Sequence, residues 1–185
     1  MKRKTFLIGA LAGAFIMALP GLTSRLTSGP GGGDREEPQV KRAMALLRQK
    51  TAALGTPSLK GTDTVAGQVV PALRFGTTTL NNNKSVVNTV RAESGGWMTA
   101  TLFARQGQDF IRVATNVPNA NCATHALGTR LDPSGPVIEK IRNGEPYYGL
   151  APILGTQYIT GYEPIKSATG EVIGIYYVGF TTPHG

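Results

Sequence analysis

The chain has 185 residues, 41% of them hydrophobic and 16% charged. That is enough for one domain with a real core and too apolar for a disordered chain. The net charge of +8 includes Lys2, Arg3 and Lys4, and the other basic residues are scattered singly without interleaved aromatics, which argues against a nucleic-acid partner. The single cysteine, Cys122, excludes an intramolecular disulfide, a CxxC redox pair and a cysteine-built zinc site.

In chain order, "MKRK" is followed by the apolar run Phe6–Leu19, then Pro20 and Gly21. A basic start, a short apolar stretch and a helix-breaking end predict an export signal over residues 1–22, either cleaved or kept as an N-terminal anchor. The run is shorter than the ~20 residues of a comfortable membrane span. Either form puts the rest of the chain in the periplasm or otherwise outside the cytoplasm, free or tethered to the inner membrane. Residues 23–34 read as a Gly-rich linker, and residues 35–185 as one domain.

A helix is expected over Arg35–Leu54, capped by Asp34, with Val40, Ala43, Met44, Leu47 and Leu54 recurring at helical spacing. Gly55 and Pro57 end it. Its stripe suits packing on the chain's own sheet or parallel self-association into a homodimer. Strands are expected next at "PALRFGTTTL" and "SVVNTVRAE" around the turn "NNNK", then at "WMTATLFAR" and "FIRVATNVP" around "QGQD". A loop, Asn119–Leu131, and a short helix near Pro133–Asn143 follow, with Asp132 or Ser134 as cap and Gly144 as stop. "PYYGLAPI", "QYITGYEPIK" and "EVIGIYYVGF" are the last strands. Hairpin-length connections predict an antiparallel sheet. In the last strand Val172, Tyr176, Val178 and Phe180 face one way and Ile173, Ile175 and Tyr177 the other, so both faces need cover. The long helix covers one, and the loop and short helix cap the other, where a small-molecule pocket fits.

Several segments, in order, resemble a known family: "LNNNKSVVNTV", "GGWMTATLFARQGQDFIRVATNV", "ALGT" and "NGEPYYGLAPILGTQYITGYEPIKSATGEVIGIYYVGF". Together they look like a single Cache sensor domain of the type that fuses the third and second Cache subfamilies, over about Ala66–Phe180. The resemblance implies a PAS-like α/β (α+β) fold, with a long N-terminal helix on a central antiparallel sheet. It also implies extracytoplasmic binding of small ligands such as organic acids or amino acids. In receptors such a domain precedes a second membrane helix and a signalling module. "TTPHG" ends this sequence instead, so the expectation is a stand-alone sensing half that acts through a membrane partner.

Within the expected pocket, alternation places Phe110, Arg112, Ala114 and Asn116 on one strand face and Ile111, Val113, Thr115 and Val117 on the other. An arginine among apolar neighbours needs an anion, and its planar guanidinium can hold a carboxylate through two parallel hydrogen bonds. Tyr158, Thr160 and Tyr162 share a face of the neighbouring hairpin, and Tyr147 and Tyr148 open the strand after the cap helix. Hydroxyls beside Arg112, with Thr129 of the "ALGT" turn, would orient a polar ligand. The competing reading pairs Arg112 with Glu93, Asp109 or Glu163 as a structural bridge and makes the tyrosines ordinary packing.

The loop "NANCATHALGT" departs from the family pattern: His125 stands near the place of an arginine. As a second cation it would make binding favour low pH. The other readings are a solvent-facing loop residue or, with Cys122, a metal or haem ligand, although two ligands three apart are weak support for a metal. No catalytic triad, carboxylate cluster or phosphate-cradling loop is present. The chain therefore reads as a non-enzymatic binding module without a cofactor. The alternative is an envelope interaction protein that keeps the fold with an empty pocket.

Overall fold

Helix α1, Glu37–Ala52, buries Val40, Ala43, Met44, Leu47 and Thr51 along one side. The structure, a computed structural model, describes residues 37–120 and 122–181, all within one unit, Gly32–Gly185. The expected leader, linker and Asp34 cap lie outside the described residues. Gly55, at φ +123, follows the helix and turns the chain, because a Cβ there would lie 2.8 Å from the Gly76 Cα. Val40, Ala43, Met44 and Leu47 of the expected stripe are buried within the chain, whereas Leu54, just past the helix, is exposed.

Two antiparallel sheets follow, where one had been expected. Strands β1 (Pro57–Val65), β2 (Gln68–Phe75) and β3 (Thr78–Thr79) form a small sheet in the order β1-β2-β3. Only Val65 of β1 is buried, so the strand carries little of the apolar patterning that marks one in sequence. "SVVNTVRAE" is helix α2, Ser85–Glu93, and not a strand. Its valines suggest β structure, but Val86, Val87 and Val90 fall on one helical side and are buried there. Asn83 starts the helix by accepting the Ser85 N–H at 3.0 Å.

The large sheet contains β4 (Thr99–Gln106), β5 (Asp109–Thr115), β6 (Tyr147–Ile153), β7 (Thr156–Lys166) and β8 (Val172–Thr181), in the order β5-β4-β8-β7-β6. One face packs on α1, α2 and the small sheet, in a core with Leu47, Leu73, Phe75, Leu102, Val113, Tyr176 and Val178. The other carries Phe103, Phe110, Ile175, Tyr162 and Tyr177 and is closed by Ala126, Leu131 and the cap helix α3 (Pro136–Arg142). Helix α1 covers one face as expected, joined there by α2 and the small sheet, and the loop with α3 covers the other. The N-cap of α3 is Gly135, without a side-chain cap bond, and the Asp132 carboxylate instead accepts from the Ser134 N–H and Oγ. Gly144, at φ +74, stops the helix.

Two irregularities rearrange the faces. The β4–β5 register shifts between Leu102, opposite Ala114, and Phe103, opposite Arg112. The extra residue, Val113, gives its carbonyl to the Asn82 N–H at 2.7 Å. A bulge inverts the in-out alternation beyond it. Phe110 and Arg112 face the cap as expected, but Ala114 lies in the α1-side core and Asn116 reaches α2. The β7–β8 register shifts likewise between Ile165 and Lys166. Ile173 therefore joins Tyr176, Val178 and Phe180 in the α1-side core, while Val172 packs on the cap side.

Candidate functional site: a capped cavity at Arg112

Strand β5 carries Arg112 to the cap face, 5% exposed. Its backbone is doubly tied to the capping loop: the Arg112 N–H donates to the Thr129 carbonyl and the Gly128 N–H to the Arg112 carbonyl, each at 2.9 Å. Its Nη1 donates to Thr129 Oγ1 at 2.8 Å and to the Arg130 carbonyl at 3.2 Å. Thr129 Oγ1 in turn donates to the Ala126 carbonyl at 2.8 Å, so the hydroxyl presents a lone pair to the arginine. The guanidinium carbon sits 4.8 Å from the Phe103 ring centre. Nε is buried and has no hydrogen-bond partner among the described residues.

Among the described residues no carboxylate pairs with this charge. Glu93 pairs with Lys50 at 2.7 Å, Asp109 with Arg130 at 3.2 Å and Glu163 with Arg48 at 2.9 Å. Each carboxylate considered as a structural partner is thus engaged elsewhere. Among the described residues Arg112 makes no ion pair. Burial presses its guanidinium below the usual arginine range, and the nearby phenols of Tyr162, Tyr177 and Tyr158 oppose that. The group stays a cation at physiological pH.

The cation borders a cavity of about 220 Å³ between the cap and the β6–β7 hairpin. Leu131, Pro136, Val137, Ala151 and Ile153 give it an apolar wall; Arg112, Tyr162, Arg130 and Asp132 are its polar members. Leu154 and Gly155, at φ +50 and +86, make the tight turn that closes one side. Tyr162 is buried, with its ring 4.9 Å from that of Tyr177. Burial drives its hydroxyl well above the usual tyrosine range, so it remains a neutral O–H.

The other expected residues divide by face. Tyr158 lies on the cap face within reach of the Arg112 charge. Thr160 points the same way but donates to the Gly149 carbonyl at 2.7 Å. Tyr148 is on the opposite face, where its hydroxyl donates to Glu163 at 2.5 Å and its ring lies under Lys41. Asn116 is spent on the backbone: its Oδ1 accepts from the Ala100 N–H and its Nδ2 donates to the Val87 carbonyl, both at 2.7 Å. His125 is exposed, with Nδ1 3.1 Å from Lys84 Nζ, and is not among the cavity-lining residues. Cys122 is exposed, and no group of three or more metal-binding side chains occurs among the described residues. Arg130, Asp132 and the β6–β7 turn were missed, because nothing in their local sequence marks them as lining.

A model of the Cache 3/Cache 2 fusion domain matches residues 36–183. The chain belongs to this family. No curated protein matches it. Cache domains are extracytoplasmic sensor modules, and this one has the mixed α/β, PAS-like build of its family: a long first helix, an antiparallel sheet and a capped face. No helix among the described residues is long and apolar enough to cross a membrane. In this Cache domain the cap-side face carries the only buried charged side chain among the described residues, Arg112.

Proposed function

We propose that this Cache domain senses a small organic acid, held by its carboxylate on Arg112 and by its hydrocarbon part against Leu131, Val137, Ala151 and Ile153. The observation that carries the reading is the buried guanidinium with an open Nε and no counter-ion, beside a cavity. A buried cation without a partner is costly, and a ligand carboxylate offsets that cost only when bound. The cavity is smaller than the roughly 300–1,000 Å³ of drug-sized ligand clefts, which favours an acid of a few carbons. Asp132 at its edge disfavours a second carboxylate on the ligand and would accept an α-amino group. The site supplies recognition and no reaction, and the domain works through a membrane partner that reads the cap.

The test is a thermal-shift series on the exported chain with two- to five-carbon monocarboxylates, amino acids and dicarboxylates. A ligand at a hundred times its dissociation constant adds about 2.7 kcal/mol of stability. For a chain of this size that raises the melting temperature by roughly 5–11 °C. Absence of any shift with every carboxylate at millimolar concentration would sink the reading.

A further inference from the structure

Trp97, the only tryptophan of the chain, is 45% exposed. It is not a loosely hung side chain. Its ring meets Phe180 edge-on, with centroids 4.7 Å apart and planes at 88°. Two left-handed glycines, Gly95 at φ +83 and Gly96 at φ +87, lead into it, and a Cβ on Gly95 would come within 2.9 Å of the indole nitrogen. Arg91 Nε pins the loop by donating to the Gly96 carbonyl at 2.8 Å. The loop holds a large amphipathic ring in a fixed place at the surface.

That place is one end of the large sheet. Thr99 pairs with Gly179 and Tyr158 with Thr181, so Trp97 stands beside the finish of β8. Helix α1 runs antiparallel to β8: Thr51 Oγ1 lies 3.4 Å from the Tyr176 hydroxyl, whereas Val40 packs at Gly161, which pairs with Val178. The start of α1 is therefore at the Trp97 end, and the chain preceding Glu37 joins the domain there. That preceding chain contains the apolar run Phe6–Leu19. Seventeen residues, 20–36, lie between that run and α1. Around the indole, Arg42 and Arg91 are exposed and in no ion pair among the described residues; Arg42 shares a shallow cleft with Trp97, Leu46, Gln39 and Glu93, whose carboxylate is paired with Lys50.

We propose that this end of the domain rests on an anionic lipid surface, with Trp97 at the headgroup level and Arg42 and Arg91 against lipid phosphates. Indole rings concentrate at membrane interfaces because one end is apolar and the other polar. Basic side chains add attraction to anionic lipid. Kept as an anchor, Phe6–Leu19 would hold this face near the bilayer at high effective concentration through only seventeen intervening residues, so a weak surface suffices. Two unpaired cations beside the ring disfavour a second copy of the chain as its cover.

The full chain is reconstituted into vesicles of phosphatidylcholine with phosphatidylglycerol, and Trp97 fluorescence is read directly. Contact with lipid shifts the emission to the blue, and lipids brominated near the headgroup end of the acyl chain quench it. Quenching should fall several-fold in Arg42→Glu, which leaves the Arg91–Gly96 bond in place, or when phosphatidylglycerol is left out. Vesicle-bound protein whose Trp97 emission is neither shifted nor quenched overturns the proposal. So does a blue shift without bromine quenching, which would mark a protein cover, and so does a failure of the chain to float with the vesicles.

Discussion

Phe103 and Arg112 are direct cross-strand partners, and the guanidinium of one lies 4.8 Å from the ring centre of the other. The pair sits where the β4–β5 register slips, so the bulge that re-aims the strand also sets the cation on the ring. Phe103 shields one side of the charge, Thr129 holds one nitrogen, and Nε has no partner among the described residues.

Arg112→Met is expected to separate folding from binding. Keeping a charge buried without a counter-ion is costly, so a hydrophobic side chain of similar volume should be neutral or stabilising there. The ligand-free variant should melt at the wild-type temperature or above. Its ligand-induced shift should vanish, because losing a buried charged contact costs about 2–5 kcal/mol. Differential scanning fluorimetry with and without the best carboxylate checks both. A variant that melts far lower and still binds would make Arg112 a structural residue.

Asn116→Ala should show the opposite pattern. It strands the Ala100 N–H and the Val87 carbonyl, two buried groups worth about 1–3 kcal/mol each when unsatisfied. A loss of about 2–6 kcal/mol in urea unfolding is expected, with ligand affinity of the remaining folded protein unchanged.

Gly174→Ala tests the strand packing. A Cβ there would clash with the Phe103 carbonyl oxygen and press on the Ile165 side chain. Overpacking of this kind costs about 1–3 kcal/mol, and the displaced Phe103 should also loosen Arg112. Both the unfolding midpoint and the ligand-induced shift should fall, and a change in neither would mean that β8 yields freely at this point.

His125 carries a pH signature of its own. Partial burial, then the charges of Lys84 and Arg91, lower its pKa from the ordinary value near 6.5. The unfolded chain then binds the proton more readily than the folded one, so stability falls as pH drops from above 6.5 through the lowered folded value. His125→Gln should flatten that part of the stability-versus-pH curve. Since His125 does not line the cavity, ligand affinity should be insensitive to the same change. An affinity that rises at low pH and loses the rise in His125→Gln would return the histidine to the ligand.

Much of the cap side was legible from residue patterns alone. The period-two run through Tyr158, Thr160 and Tyr162 sits on the face expected, and Gly144 stops the cap helix where expected. Arg112 stood out because a charge among apolar strand neighbours is a physical anomaly at any register. Asn116 and Ile173 were misplaced because a bulge leaves no mark in local composition yet inverts every side chain after it. Tyr148 adjoins Tyr147 in sequence and is carried to the other face by the pleat. Helix α2 resembles a strand in composition because its three valines are β-branched, although their i, i+1, i+4 spacing is helical.

The strand order β5-β4-β8-β7-β6 has a kinetic consequence. The middle strand of the sheet is the last to leave the ribosome. Until β8 is made, β4–β5 and β6–β7 are two hairpins with no common neighbour, and Thr99 must wait for Gly179. Such distant pairing closes a long loop before it gains any contact, which slows folding. Without Val172–Thr181 the two hairpins share no edge, and the five-stranded sheet closes only when β8 pairs with β4 on one side and β7 on the other.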